Sequence, residues 1–376
     1  MKGARDLSIL HVDTGREYRG GQRQVELLVR GLAQRGHRIG VVVPPSAPLD
    51  ERLFGAPGIQ VHIAPFSGEF SWRSAQRLRR YLEEGDYRLL HTHTAHAITP
   101  AHLARRCGSV ALIAHRRVDF PLRRNPLARW KSRWPDAWIA VSQGVRRQLV
   151  RDGLRAERIA VVESAIDPAR LEPQRSRDAL RREFSVTESA KVIVSVGELA
   201  AHKGHTDLIA AVERCDDAIL WIVGEGGERR ALQSQIERLD LGARVRLLGN
   251  RNDVADLLAA SDLFVFPSRS GEGSPAAVKE AMALGLPIVA SDIPAHRDLG
   301  IAVPSLFSPG DAGRLRSLIA ATMENLPHAR ELAQTRQEEL VRFLPERMVA
   351  RTERIYIAVL NGSSVETAES LESTPA

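Results

Sequence analysis

The segment SRSGEGSPAAVKE, residues 268–280, decides the fold together with the apolar runs on either side of it. Residues 262–266 read DLFVF and are closed by Pro267, which is typical of a buried parallel strand. Beyond the segment, the helical pattern stops near Gly285, and residues 286–290 (LPIVA) predict the next strand. A strand, a glycine-containing loop, a helix and a second strand in this order predict an α/β protein with a parallel sheet.

The loop and helix inside this segment carry the candidate ligand groups. Pro275 opens the helix, and Ser274 is its expected N-cap. Glu272 precedes the helix at the carboxyl end of a strand, where open α/β sheets bind ligands, and Glu280 lies about two turns along the helix. Backbone N–H groups at a helix N-terminus bind anions, and the two carboxylates add acceptors for sugar hydroxyls. The segment therefore predicts a nucleotide-sugar site.

The spacing of the two glutamates resembles a family signature. Seven residues separate Glu272 from Glu280, as in the E-x7-E motif of retaining glycosyltransferases of the GT-B fold, family 4. The flanking FPS and EAMALGLPIVA sequences are similar to the same group, and the resemblance extends to about residue 360. It implies an α/β GT-B fold, with two Rossmann-like domains facing across a cleft. It also implies transfer of a sugar from a nucleotide sugar to an acceptor hydroxyl, with the anomeric configuration retained.

The same resemblance implies a domain plan. Residues 1–170 would form an N-terminal Rossmann-like domain that binds the acceptor, and residues 171–345 a C-terminal Rossmann-like domain that binds the nucleotide sugar. A helix at residues 346–360 would return to the N-terminal domain. Residues 361–376 are rich in Ser, Thr and Glu, and we expect a disordered tail.

Several donor-binding positions follow from the resemblance. Residues 197–204 (GELAAHKG) are similar to a family loop in which an arginine and a lysine hold the donor diphosphate. Lys203 is retained, but Glu198 stands where the family usually has the arginine, so either another cation such as Arg251 substitutes or donor binding differs. Residues 291–298 lack the family's Gly-Gly-x-x-Glu motif, and no phosphate role is transferred to them. The expected donor-binding set is Gly20, Gly21, Gly197, Lys203, Arg251, Gly273, Ser274, Pro275, Ala276 and Glu280.

Three residues are the expected catalytic groups. In the family the first glutamate of the signature lies beside the donor sugar, which assigns Glu272. Lys203 and the helix N–H groups would stabilise the departing diphosphate. His115 follows a predicted strand at residues 110–114 and would face the donor sugar, although a structural histidine is the alternative.

A metal site has little support in the sequence. His91 and His93 alternate on a predicted strand and could share one face, and His96 follows. No Asp, Glu or Cys stands nearby in the sequence to complete a metal site. The chain also has no Asp-x-Asp motif of the kind that metal-dependent transferases use. We therefore expect no cofactor and no metal, and a contact between His93 and the acceptor.

Charge is distributed unevenly along the chain. Residues 1–170 contain 29 Lys and Arg against 16 Asp and Glu, whereas the remaining residues contain 24 against 30. Seven basic residues fall between Arg116 and Arg133, interleaved with Phe, Leu and Trp. This mixture suits the interface of an anionic bilayer or a phosphorylated glycolipid, and a solvated protein face is the bland alternative. The candidate acceptor or membrane contacts are His93, Arg116, Arg117, Arg123, Arg124 and Trp130.

Composition argues against a membrane-spanning, secreted or disulfide-rich protein. No apolar run approaches a membrane span, the first residues offer no signal-peptide core, and the two cysteines are far apart. We expect a cytoplasmic protein that can work at the inner face of the cytoplasmic membrane. Its predicted function is sugar transfer from a UDP-, GDP- or ADP-linked donor in the synthesis of lipopolysaccharide core or another cell-surface glycan or glycolipid.

Two alternatives stay open. A basic nucleic-acid- or lipid-binding protein could use the same fold, but no RNA-binding motif accompanies the basic segment, and we expect no nucleic-acid partner. A glycoside hydrolase would need a second carboxylate opposite Glu272, and the sequence offers no evident candidate.

Overall fold

The computed structural model describes residues 6–66, 68–105, 110–122, 126–215 and 217–366. Contacts between Cα atoms divide the chain into two compact units. The first unit contains Met1–Ala165 and Pro345–Ala376, and the second contains Ile166–Leu344. The expected domain boundaries were 170/171 and 345/346. The expected disordered tail covers residues 361–376. Within it, Val365 is buried in the core of the first unit and Glu366 pairs with Arg146, and residues 367–376 lie outside the described part of the chain.

The first unit contains a seven-stranded parallel sheet with the strand order β3-β2-β1-β4-β5-β6-β7. Its strands are β1 (Ser8–Val12), β2 (Arg38–Val43), β3 (Ile59–Ile63), β4 (Leu89–Thr92), β5 (Ala111–Arg116), β6 (Ala137–Ala140) and β7 (Ile159–Val161). Its first helices are α1 (Gly20–Gln34), α2 (Pro48–Leu53), α3 (Trp72–Glu84), α4 (Ile98–Ala104), α5 (Pro126–Lys131) and α6 (Gln143–Arg151).

The central strands of this sheet are apolar on both faces because helices cover both sides. Ile9 and Val41 point into one core layer, and their chain neighbours Leu10 and Val42 point into the opposite layer. The buried stripe of α1, which includes Val25, closes the first layer. Because successive side chains of a strand point to opposite faces of the sheet, each strand contributes to two separate cores.

The second unit contains a six-stranded parallel sheet with the strand order β10-β9-β8-β11-β12-β13. Its helices are α7 (Arg177–Glu183), α8 (His205–Val212), α9 (Arg229–Arg238), α10 (Val254–Ala260), α11 (Ala276–Ala283), α12 (Pro294–Asp298), α13 (Ala312–Glu324) and α14 (Leu326–Gln334). Its strands are β8 (Lys191–Val196), β9 (Ala218–Val223), β10 (Val245–Gly249), β11 (Leu263–Phe266), β12 (Ile288–Ser291) and β13 (Leu306–Phe307).

The strand order reverses at one place in each sheet. The reversal lies between β1 and β4 in the first unit and between β8 and β11 in the second. The loops after two such strands run to opposite sides of the sheet and leave a crevice, which is where open α/β sheets bind ligands. Each unit therefore has one position at which functional side chains are expected.

The predicted start of α11 was wrong by one residue. Pro275 is the N-cap, and Ser274 makes no capping hydrogen bond. Instead, the Ser274 hydroxyl accepts a hydrogen bond from Lys279 Nζ at 2.9 Å. Because the helix begins at Ala276, Glu280 lies just over one turn inside it rather than two.

The last helix, α15 (Pro345–Leu360), belongs to the first unit and packs on α1. Met348, Ile355 and Tyr356 are buried in the same core as Val25. Gly31 of α1 provides the close approach, because a Cβ atom there would lie 2.5 Å from Val349 Cγ2. Within the described residues, no helix combines the length and the apolar character needed to cross a bilayer.

Replacing Gly31 with Val should separate α15 from α1. We expect Gly31→Val to lower the free energy of unfolding by about 1–3 kcal/mol, because the new side chain overlaps Val349 in a packed core. Urea unfolding followed by circular dichroism measures the change. Gly242→Val is the control, because a Cβ at Gly242 meets no atom within 4 Å. Equal effects of the two substitutions would contradict this account of the packing.

Candidate functional site

Glu272 occupies the reversal point of the second sheet. It lies in the loop after β11 and is only 6% exposed. Its Oε1 atom accepts hydrogen bonds from Lys203 Nζ at 2.5 Å and from Ser268 Oγ at 2.7 Å. Lys203 comes from the loop after β8, so the two strands on either side of the reversal supply one partner each. A buried carboxylate and its ammonium partner therefore mark the position where the topology predicts a ligand.

His296 is a third polar group at this edge, and the sequence analysis gave it no role. The side chain is fully buried at the start of α12, and Nδ1 lies 2.6 Å from the carbonyl oxygen of Ser291. Burial lowers the pKa of His296, while the Ser291 carbonyl and the nearby Glu272 carboxylate act in the opposite direction. The neutral imidazole therefore donates Nδ1–H to Ser291. The adjacent Ser291 hydroxyl donates to the Ser268 carbonyl and ties the ends of β11 and β12 together.

Two glycines allow the loop after β8 to approach its neighbours. Gly204 has φ +71°, and a Cβ atom there would lie 2.2 Å from the Pro267 carbonyl oxygen. The carbonyl of Gly197 lies 1.9 Å from the position of a Cβ on Gly224. Both contacts are packing requirements that hold without a ligand. They place Lys203 beside the loop that carries Glu272.

The other predicted donor residues have mixed surroundings. Gly273 and Pro275 are buried and Ser274, Ala276 and Glu280 are half-buried. Glu198 is exposed. Arg251, the suggested substitute for the missing arginine, is held by Asp253 through two hydrogen bonds of 2.7 and 2.6 Å. Its charge is therefore already compensated.

A row of four buried histidines occupies the reversal point of the first sheet. His11 on β1 is in register with His91 on β4, and both side chains point to the same face. His93 lies two residues beyond His91, and His115 lies two residues beyond Ile113, the partner of His91 on β5. Period-two alternation therefore brings all four imidazoles to one face at the carboxyl edge.

Hydrogen bonds fix most of the row. His91 Nδ1 lies 2.6 Å from the Tyr356 hydroxyl on α15, and His11 Nδ1 lies 3.0 Å from His93 Nε2. Arg117 Nη2 donates to His93 Nδ1 at 3.2 Å. Within the described residues, neither ring nitrogen of His115 has a hydrogen-bond partner.

Burial keeps the histidine row uncharged. Desolvation lowers the pKa of His11 to about 3 and holds the pKa of His91, His93 and His115 well below 6.5. Desolvation also lowers the pKa of Arg117 to about 10, so the guanidinium is still charged at neutral pH. The row is therefore a set of neutral donors and acceptors beside one cation.

The sequence pattern did not reveal the third member of the histidine group. It paired His91 with His93 and noted that nothing nearby completes the pair, whereas His11, about 80 positions earlier, joins them. One ligand atom from each of these three residues lies within 4.8 Å of the others. His96 instead borders a pocket of about 530 Å³ at the carboxyl ends of β1–β3, together with Thr14, Arg16, Pro44, Pro65 and Phe66.

The remaining first-unit candidates fall into two groups. Gly21 lies beside Arg117, because a Cβ atom on Gly21 would be 3.7 Å from Arg117 Cδ. Gly20 lies in more open space, since a Cβ atom there would meet no atom within 4 Å. Arg116 donates to the Phe120 carbonyl at 2.5 Å, and Trp130 is 56% exposed on α5. The predicted contacts Arg123 and Arg124 lie outside the described residues.

Two parallel α/β units, each with polar groups at the reversal of its strand order, define the GT-B class of glycosyltransferases. The family model for glycosyl transferases group 1 matches residues 176–339, and the model for glycosyltransferase family 4 matches residues 18–170. The chain belongs to the family 4 glycosyltransferases of the GT-B fold.

Similar proteins agree with this assignment. Phosphatidyl-myo-inositol mannosyltransferase of Mycobacterium leprae is 26% identical over 93% of this chain and 96% of its own length. The lipopolysaccharide core biosynthesis glycosyltransferase LpsE of Rhizobium meliloti is 35% identical over 30% of this chain and 32% of its own length. The crystal structure of Anabaena HepE, in complex with UDP and glucose, superimposes with a TM-score of 0.83 at 22% identity, covering 94% of this chain and 100% of that one.

The buried pair of Lys203 and Glu272 should be strongly coupled in stability. We expect Glu272→Gln and Lys203→Met each to lower the free energy of unfolding by about 3 kcal/mol, because each leaves a charge without its partner. The double variant should lose less than the sum of the two, as a double-mutant cycle in urea unfolding would measure. The solvent-exposed Arg297, paired with Asp292 and replaced in the same way, should show a much weaker coupling. Additive losses at Lys203 and Glu272 would contradict this interpretation.

Proposed function

We propose that this glycosyltransferase transfers a sugar from a nucleotide sugar to an acceptor hydroxyl with retention of the anomeric configuration and without a divalent metal. The observation that carries the proposal is the buried contact between Glu272 and Lys203 at the reversal point of the second sheet. The HepE structure with UDP and glucose supports a nucleotide-sugar donor for this chain.

The departing diphosphate requires fixed positive groups. Negative charge builds on its oxygens in the transition state, and preorganised cations and N–H dipoles stabilise that charge. Lys203 and the backbone N–H groups of residues 273, 274, 276 and 277 are the proposed donors, since Pro275 has no N–H. When the donor binds, Lys203 exchanges the Glu272 carboxylate for a phosphate oxygen. Glu272 is then released beside the anomeric carbon, where positive charge develops.

The first unit supplies uncharged polar groups for the sugars. His115 and His93 are neutral, so neither repels a positively charged sugar carbon. Both ring nitrogens of His115 lack a partner among the described residues and can donate or accept a hydrogen bond, whereas His93 must first give up its contact with Arg117 or His11. Glu280 on α11 is the proposed partner of the nucleotide ribose. The pocket lined by Thr14, Phe66 and His96 is large enough for one or two sugar rings and is the proposed acceptor site.

The acceptor is proposed to be a lipid-linked saccharide at the inner face of the cytoplasmic membrane. The named relatives act on phosphatidyl-myo-inositol and in lipopolysaccharide core biosynthesis. Phe70, Trp72, Leu127 and Trp130 are exposed apolar side chains of the first unit, here called the aromatic patch. The ion pair of Lys131 with Glu69 joins the two segments that carry the patch. Exposed aromatic rings beside basic groups suit the interface of an anionic bilayer.

The donor is identified by the nucleotide that the protein releases. Purified protein with UDP-, GDP- and ADP-sugars should release one nucleoside diphosphate in preference to the others, and NMR of the product should show the donor's anomeric configuration.

Glu280→Ala should raise KM for the donor about 10-fold or more, through loss of a charge-assisted hydrogen bond. Glu272→Gln should lower kcat about 100-fold or more.

Glu237→Ala, on the exposed face of α9, is the matched control and should leave both constants unchanged. An inverted product would remove the retaining mechanism. Unchanged kinetics in both the Glu272 and the Glu280 variants would remove the assigned roles.

The aromatic patch should bind anionic vesicles. We expect the double variant Trp72→Ser and Trp130→Ser to lower partition into phosphatidylglycerol-containing vesicles at least 10-fold, because two exposed indole rings lose their contact with the interface. Vesicle sedimentation measures the partition. Val303→Ser with Leu332→Ser removes two exposed apolar side chains from the second unit and is the control. Equal partition of the two double variants would argue against a membrane role for the patch.

A further inference from the structure

We propose that His11, His91 and His93 form a binding site for a divalent transition-metal ion, of which Zn²⁺ is the best match. The site lies at the reversal point of the first sheet, on the edge formed by β1 and β4. The ion is not a reactant in the transfer proposed above. Because His93 is also a proposed sugar contact, a bound ion and a sugar would compete for it, but binding of the ion does not depend on that proposal.

The three imidazoles are already close to a coordination geometry. One ligand atom from each lies within 4.8 Å of the others, and His11 Nδ1 is 3.0 Å from His93 Nε2. A tetrahedral ion about 2.0–2.1 Å from each nitrogen would hold the nitrogens about 3.3 Å apart. Binding therefore requires small rotations of side chains, and the strands that carry them are fixed by their register.

The donor set selects the kind of ion. Three imidazoles without a carboxylate suit Zn²⁺, Ni²⁺ or Cu²⁺ and disfavour Mg²⁺ and Ca²⁺, which require oxygen ligands.

Two nitrogens of the group have no other use in the described structure. His11 Nε2 and His91 Nε2 are buried and lack a hydrogen-bond partner among the described residues, which is costly for buried polar atoms. An ion held between His11 Nδ1 and His93 Nε2 would satisfy His91 Nε2 and leave His11 Nε2 as it is. His91 Nδ1 lies 2.6 Å from the Tyr356 hydroxyl, and coordination through Nε2 requires the tautomer in which Nδ1–H donates to that hydroxyl.

His115 offers the fourth ligand. Its ring lies parallel to that of His91, with the centroids 5.4 Å apart, and both of its nitrogens are unpaired within the described residues. A site with His115 as ligand is closed, whereas a site without it keeps a position for water.

Arg117 opposes the ion. Its guanidinium donates to His93 Nδ1, so the remaining proton of neutral His93 sits on Nε2, the atom that would have to coordinate. Its positive charge also repels the ion. Metal binding must therefore break the contact between Arg117 and His93, and Arg117 sets the affinity of the site.

The test measures metal binding by the untagged, full-length protein. Competition with a chromophoric chelator gives the Zn²⁺ affinity and stoichiometry, and the visible spectrum of the Co²⁺ form reports a tetrahedral site. We expect one ion per chain, and at least a 10-fold tighter affinity in Arg117→Gln. His11→Leu and His91→Leu should each weaken binding at least 10-fold. His62→Leu, which alters a histidine stacked on Tyr81 in the same unit, should leave binding unchanged.

Circular dichroism checks that each variant folds. The proposal is overturned if neither the wild-type protein nor Arg117→Gln binds one Zn²⁺ ion, or if binding survives unchanged in folded His11→Leu and His91→Leu. Because the readout is metal binding, a protein that transfers no sugar would still test the proposal.

Discussion

The structure depends on a topological constraint that operates twice. In each sheet the strands are added outward from a central pair, so two neighbouring strands send their chains to opposite faces. Backbone groups at that point cannot be covered by the crossovers and are left to side chains and ligands. The second unit places an acid, a lysine and a histidine there, and the first unit places four histidines and an arginine. All the chemistry assigned to this chain lies at these two positions.

The two positions differ in how burial treats their charges. In the second unit, the contact between a carboxylate and an ammonium offsets the cost of removing both from water. A competing anion such as a phosphate can therefore displace the carboxylate from the ammonium. In the first unit the histidines avoid the cost by staying neutral, and the charge of Arg117 is partly offset by the buried Asp13 carboxylate. In the reaction proposed above, the charged environment serves the diphosphate leaving group, and the neutral environment serves a sugar.

Local pattern predicted the elements well and the assembled groups poorly. The run at residues 262–266 and Gly285 located β11 and the end of α11, since burial and backbone conformation there are set by near neighbours. The pairing of Lys203 with Glu272 and the arrival of His11 beside His91 depend on strand order and register, which no local pattern encodes. His296 was missed because its loop lacks the family motif. Ser274 was misplaced because proline itself supplies the extended conformation that a helix N-cap requires.

The order of the chain has a further consequence for synthesis of the protein. Tyr356, which holds His91, is made only after the whole second unit has been translated. Until then the nascent first unit lacks α15, and the apolar stripe of α1 and the histidine row have no cover on that side. On the ribosome, the second unit can therefore complete its core before the first, although domains usually mature in the order of their translation. During this interval, the uncovered apolar surface of the amino-terminal half is of the kind that a chaperone binds.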